Sequence, residues 1–360
     1  MLSMRKPLLL SMTFLLLIPW FWPKDRGTLP SVEEKIKGFS WESGDSIQSK
    51  HLKTILPYNA EWIAHTPFAF QGKIDEPELR FRRSKEQSSR NTRVNNTIEV
   101  AKGQGIHSMI KPHIWPGRDA GGWRSEIAMK NEADWQIWFA NYTNYILDYA
   151  ELAEAQKTPV FCIGTELYLA SSRRTEDWRT LIKAVREVYS GKLTYAANFY
   201  KEFSAVEFWD DLDYIGVQAY FPLSNSKTPS LKSLEKSWVP HYKTLKKMAK
   251  KWEKPILFTE IGYRSMRDAA IEPWLWPDRM EYETQDVSPE TQALCYEAFF
   301  KTFWEEKWVA GAFIWIWSRR NYDPGRYEQR RRNRRRRDDF PIDFSPKEPG
   351  LKVIQSYYGI

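Results

Sequence analysis

Two glutamates stand where an apolar strand gives no reason for a charge. Glu166 closes the run Phe161-Cys162-Ile163-Gly164-Thr165, and Glu260 closes Ile256-Leu257-Phe258-Thr259. An ionised carboxylate in apolar surroundings is costly unless it is paired or hydrogen-bonded, so each position asks for a partner or a purpose. A strand-end acid held by a lysine or arginine explains one glutamate well. It explains poorly two at the same relative place in two strands. Two carboxyl groups about 5–5.5 Å apart can instead work as a pair on a glycosidic bond. One attacks the anomeric carbon while the other protonates the leaving oxygen and later activates water. Two acids sharing a site also raise the pKa of at least one of them.

Such a pair needs a frame that brings distant strand ends together. From about residue 36 short apolar runs alternate with longer amphipathic ones. The runs are Lys37 to Trp41, Glu61 to Thr66, His107 to His113, Val160 to Glu166, Leu193 to Asn198, Tyr214 to Tyr220, Pro255 to Glu260 and Gly311 to Trp317. Between them, Asp134 to Ala155 carries Trp135, Trp138, Phe139, Tyr142, Ile146 and Tyr149 at three- and four-residue steps, as a helix requires. Asp177 to Tyr189, Leu231 to Lys251 and Pro289 to Glu305 are also helical in pattern. Eight strands alternating with helices predict an α/β fold, a single-domain (β/α)8 TIM barrel. An open doubly wound sheet normally has a Gly-rich phosphate turn after its first strand, and none is present. Seven runs carry at their C-terminal edge a polar or aromatic residue that the apolar run does not need: His65, His113, Glu166, Asn198, Tyr220, Glu260 and Trp317. Strand ends at the C-terminal face are where a barrel builds its site.

The frame carries the motifs Ile110-Lys111-Pro112-His113-Ile114-Trp115, Gly164-Thr165-Glu166, Gln218-Ala219-Tyr220, Phe258-Thr259-Glu260-Ile261-Gly262-Tyr263 and Trp315-Ile316-Trp317, in that order, over about residues 36–358. The chain thereby resembles the clan of (β/α)8 retaining glycosidases and, within it, glycoside hydrolase family 113, the β-mannanase family. The resemblance implies hydrolysis of β-1,4-mannan or a related β-linked glycan by double displacement. It makes Glu166 the acid/base, Glu260 the nucleophile and Tyr220 the hydroxyl that holds the nucleophile. Trp315 or Trp317 becomes the sugar platform, and Lys111, His113 and Asn198 bind hydroxyls. The wider clan usually has Asn before the acid/base, contacting the sugar 2-hydroxyl. Thr165 stands there in this chain, with a shorter reach.

Eighteen Trp and eighteen Tyr exceed what a core requires, so some rings are expected on a binding surface, where flat faces stack on sugars. Trp41 and Trp115, at strand ends, are candidates for that role as well as for core filling. Trp274 and Trp276 lie in a Pro-bounded loop after strand seven, which suits a distal subsite. Trp135, Trp138, Trp304 and Trp308 fall at helical spacing and are expected in the core. Two other readings share these residues: a non-catalytic carbohydrate-binding barrel, and a hydrolase of another β-glycan such as β-glucan. The presence of both acids favours hydrolysis.

Net charge is +8, yet ten arginines between Arg319 and Arg337 exceed it, so the rest of the chain is slightly acidic. The run at about 326–337 is expected to be a solvated loop. No aromatic interleaves its arginine-rich core, which argues against a nucleic-acid partner. Residues 1–25 combine Arg5 and Lys6 with an apolar stretch from Leu8 to Trp22, the pattern of a signal peptide or N-terminal membrane anchor. About 15 apolar residues are short for a bilayer span. The protein is therefore expected to be secreted, periplasmic or membrane-anchored facing outward, with a hydrolase domain at 36–358. It is expected to be a monomer acting on a polysaccharide or oligosaccharide, without cofactor. Cys162 and Cys295 offer no disulfide framework, and the five histidines show no metal-ligand spacing.

Overall fold

The computed structural model describes residues 28–42, 47–81, 85–276, 286–325 and 343–360; the leader or anchor expected at 1–25 and the arginine run at 326–337 lie outside them. Eight parallel strands close into a barrel: β1 Ile36–Trp41, β2 Trp62–His65, β3 His107–Ile110, β4 Val160–Thr165, β5 Lys192–Asn198, β6 Tyr214–Gln218, β7 Ile256–Ile261 and β8 Val309–Trp317. Each bonds to its sequence neighbour, and β8 returns to β1 with Ile36 opposite Gly311. The single-domain (β/α)8 barrel expected from the alternation is the fold observed. Strands covered on both faces carry continuous apolar runs, and every residue of β4 and β7 is buried.

The helices that cover the barrel are α1 Lys85–Lys102, α2 Glu132–Ala155, α3 Thr175–Val188, α4 Leu231–Trp252, α5 Pro289–Phe303 and α6 Gly350–Tyr358. Asn131 caps α2 by accepting from the Asp134 N–H at 2.9 Å, and Ser230 and Ser288 do the same for α4 and α5. Most of the tryptophan surplus sits between helix and barrel. Trp135 and Trp138 are buried as their helical spacing requires, Trp304 and Trp308 are buried just beyond the end of α5, and Trp178, Trp209 and Trp238 are fully enclosed. On α2, Trp138 stacks on Tyr142 at 4.9 Å, and the Tyr142 hydroxyl donates to the Ile163 carbonyl in β4 at 2.9 Å.

The run His107 to His113, read as one strand, divides. The barrel strand ends at Ile110, Lys111-Pro112 breaks the ladder because proline has no N–H, and His113–Pro116 joins a small outer sheet with Phe68–Gln71 and Leu79–Arg80. That step turns the chain toward the mouth of the barrel. At the other end, the Thr28 N–H donates to the Glu253 carboxylate at 3.0 Å, where α4 turns into β7. Among the described residues no helix is long and apolar enough to cross a membrane.

Gly164 is tightly packed near the mouth. A Cβ there would lie 2.8 Å from the Tyr142 hydroxyl, 2.8 Å from Tyr195 and 2.9 Å from Trp178. All three rings are fixed, so Gly164→Ala is expected to lose about 1–3 kcal/mol of stability. Urea unfolding of the variant against wild type checks this; an unchanged midpoint would mean the rings yield.

Candidate active site

Both glutamates sit at irregularities in the barrel ladder. The β4–β5 register shifts between Cys162 and Thr165, and the β6–β7 register shifts between Phe258 and Glu260. Such bulges re-aim the following side chains. Glu166 takes a left-handed backbone, φ 53°, which costs a non-glycine residue about 1 kcal/mol or more and persists only where surroundings enforce it.

Glu260 is 4% exposed, and donors meet both of its oxygens. The fully buried Lys111 ammonium bonds Oε1 and also donates to the Thr259 carbonyl at 3.2 Å. The Tyr220 hydroxyl donates to Oε2 at 2.7 Å. With the Gln218 amide turned so that its NH2 faces the carboxylate, it donates to Oε1 at 3.2 Å and Oε2 at 2.6 Å; the reverse would set oxygen against oxygen. Burial pushes the Glu260 carboxyl above its ordinary range, while the Lys111 charge pulls it back. The Tyr220 phenol is raised well above its usual value by burial and then by Glu260, so it donates and does not ionise.

Glu166 is 6% exposed and has different partners. Arg124 Nε donates to Oε2 at 3.2 Å, and Asn198 Nδ2 donates to Oε1 at 2.9 Å. Arg124 also places Nη1 2.9 Å from His113 Nδ1. A guanidinium has only donors, so Nδ1 accepts and the imidazole hydrogen is on Nε2, 3.9 Å from Glu260 Oε1. Burial, then the charges of Lys111 and Arg124, hold His113 neutral, well below the usual histidine range. One run of side chains, Glu166, Arg124, His113, Glu260, thus connects the two acids.

Both acids open into a cavity of about 840 Å³, toward the upper end of the roughly 300–1,000 Å³ of small-ligand sites. Asn198, Gln218, Tyr220 and Trp315 line its floor, with Trp123, Phe199, Trp274, Trp276 and Phe344 among the walls. Trp274 stacks on Phe199 at 5.3 Å, and Trp276 stands edge-on to Trp315 at 6.3 Å.

Residues 37–334 match the family model described as Glycoside Hydrolase Family 113. The chain belongs to glycoside hydrolase family 113. It is similar to a solved GH113 β-1,4-mannanase, with 26% identity, a TM-score of 0.73, and coverage of 91% of this chain and 99% of that one. The GH113 β-mannanase AaManA from Alicyclobacillus acidocaldarius, in complex with ManMIm, shares the fold at 23% identity and a TM-score of 0.72, covering 91% of this chain and 98% of that one. A Ruminococcus gnavus β-glucuronidase shares the barrel at 12% identity and a TM-score of 0.56, covering 90% of this chain and 50% of that one. No curated protein matches the sequence.

In this family 113 hydrolase the residues singled out in the sequence separate into three groups. Glu166, Glu260, Lys111, His113, Asn198, Tyr220 and Trp315 converge. Trp115 is 39% exposed, edge-on to Trp123 at 5.5 Å, beside the cavity wall. Trp41 and Trp317 do not reach the cavity: Trp41 is fully buried against Tyr322 at 4.6 Å, and Trp317 packs on Phe39 and donates to Thr54 Oγ1 at 2.9 Å. Trp41 faces outward with Phe39, two residues before it on the same face of the strand, whereas Trp317 shares the parity of Trp315 and is turned outward by the extra residue that β8 carries between Ile314 and Trp317. Thr165 also turns away, donating to the Pro112 carbonyl at 3.1 Å. Arg124 had no sequence signal, because it enters from the short helix Arg124–Glu126 in a polar loop. Gln218 stood inside a motif whose tyrosine drew the attention.

Below the site, His65 at the end of β2 is fully buried, with Nε2 3.0 Å from Ser108 Oγ, and burial lowers its pKa to about 3. A histidine held neutral in the fold but free to protonate when unfolded gives stability that is present above pH 6.5 and lost as pH falls toward 3. The wild type is therefore expected to lose on the order of 4–5 kcal/mol across that window at most. Urea midpoints from pH 7 to 4, with His65→Gln losing less over the same range, check it; parallel losses would remove His65 from the account.

Proposed function

We propose that this family 113 hydrolase cleaves β-1,4-mannan with retention of anomeric configuration. The observation that carries the reading is the opening of Glu166 and Glu260 into one aromatic-walled cavity, each with its own set of donors. Glu260 is the nucleophile. Lys111, Gln218 and Tyr220 fix its two oxygens, so little reorientation is needed when one bonds to the anomeric carbon. Glu166 is the acid/base. Its proton passes to the glycosidic oxygen as the bond from that oxygen to the anomeric carbon breaks and the Glu260 ester forms. The Glu166 carboxylate then takes a proton from water, whose oxygen attacks the anomeric carbon and frees Glu260. Lys111, Gln218 and Tyr220 receive the charge returned to Glu260 without rearrangement. Trp315 on the floor and Trp274 and Trp276 on the wall supply stacking faces for successive sugars.

Incubation with β-1,4-mannan and, in parallel, with a β-1,4-glucan tests this by reducing-end release, with proton NMR identifying the first anomer formed. Release from mannan with the β anomer appearing first is the expected result. The α anomer first would refute double displacement, and preference for the glucan would move the substrate. Export through residues 1–25, followed by cleavage there or retention as an anchor, belongs to the same proposal; mass spectrometry of the mature protein reads it directly.

A further inference from the structure

Behind Asn198, on the side away from the cavity, Glu202 begins the short helix Glu202–Ala205 with its side chain fully buried. Its carboxylate is saturated by three donors from two elements. Oε1 accepts from the Tyr195 hydroxyl in β5 at 2.6 Å and from the Ser171 hydroxyl, in the helix after β4, at 2.8 Å. Oε2 accepts from the Asn198 backbone N–H at 2.7 Å.

The first and third of these bonds lead to Glu166. Tyr195 gives its hydrogen to Glu202, and its oxygen accepts from the Leu167 N–H at 2.8 Å, immediately after the left-handed residue Glu166. Asn198, held by its backbone, donates its side-chain amide to Glu166 Oε1. We propose that Glu202 is a positioning residue for the acid/base: it holds the turn at Glu166 through Tyr195 and Leu167, and the Glu166 carboxyl through Asn198. This rests on the acid/base role given to Glu166 above.

A solely structural filler would be better served by an apolar residue, because a buried carboxylate must recover its solvation from donors. Burial pushes Glu202 up to about 7 against the pull of Tyr195, Asn198 and Ser171, with the Glu166 charge raising it further. Such an expensive group is retained where its geometry is needed. A glutamine cannot replace it, because it offers one accepting oxygen and an NH2 where three donors converge.

Glu202→Gln and Tyr195→Phe test the assignment, each first shown by circular dichroism and thermal unfolding to be folded. Misplacing an acid/base by a fraction of an ångström slows bonds that need protonation and spares those that do not. Both variants are expected to lose about 10–100-fold in kcat on β-1,4-mannan with KM within about threefold, and to keep dinitrophenyl β-mannoside cleavage within about threefold of wild type in the burst phase. Equal loss on both substrates, or no loss, overturns the proposal. A crystal structure of Glu202→Gln needs no substrate: the Asn198 to Glu166 bond or the left-handed turn at Glu166 should be altered, and both unchanged would also overturn it. Wild type inactive on both mannosides, with the geometry altered in the variant, would instead refute the assigned activity and leave the positioning standing.

Discussion

Glu260→Gln is expected to reduce kcat on β-1,4-mannan by about 10⁴-fold or more, about 5.4 kcal/mol at the barrier, while the folded protein still binds mannooligosaccharide. The amide is nearly the same shape as the carboxylate but cannot form the glycosyl ester. It also sets an NH2 against donors, since Lys111, Tyr220 and Gln218 all point at this group. Isothermal titration with a mannooligosaccharide separates binding from turnover. Retained turnover with a first-formed β anomer would take the nucleophile away from Glu260. Because Lys111 is fully buried beside it, the variant leaves a cation without its counter-charge, and a lowered unfolding midpoint is expected alongside.

Glu166→Ala should show a different signature. Loss of the general acid costs about 10²–10⁴-fold where the leaving group needs a proton, so mannan cleavage should fall by that factor. An aryl β-mannoside with an acidic phenol should still form its glycosyl ester at near wild-type rate and then stall, because no base activates water. Azide, which needs no base, should restore turnover and give a β-mannosyl azide. Pre-steady-state release of the phenol with added azide reads all three outcomes, and equal slowing on both substrate types would assign Glu166 to another role. The cavity that remains keeps Arg124 without its carboxylate partner, which leaves its charge free to attract the incoming anion.

The barrel was legible because its signal is repeated. Eight apolar runs with helices between them leave few arrangements, and β4 and β7 announced their glutamates because a charge at the end of Phe161 to Thr165 or Ile256 to Thr259 has no packing reason to exist. His113 stood at the end of the third run, and Lys111 came from the resemblance carried by Ile110-Lys111-Pro112-His113. Trp41 and Trp317 show what strand-end position leaves open: a residue's face depends on local register, which the bulges near the mouth alter. Arg124 and Glu202 were out of reach for a different reason. Each acts across more than thirty residues of sequence, Arg124 on Glu166 and Glu202 on Ser171, and neither sits in an apolar context that makes its charge conspicuous. The helix Lys85–Lys102 was missed because its polar sequence gives no stripe to read, while α2 could hardly be overlooked.

The bond from Thr28 to Glu253 fixes where the chain enters the barrel. Glu253 follows α4 and precedes β7, at the floor of the cylinder, whereas Glu166 and Glu260 open at the rim. Thr28 therefore lies at the opposite end of the cylinder from the two acids, as a stem lies below a cup. A long polymer meets the open rim on the face away from Thr28, so this end of the described chain and the polymer occupy different space.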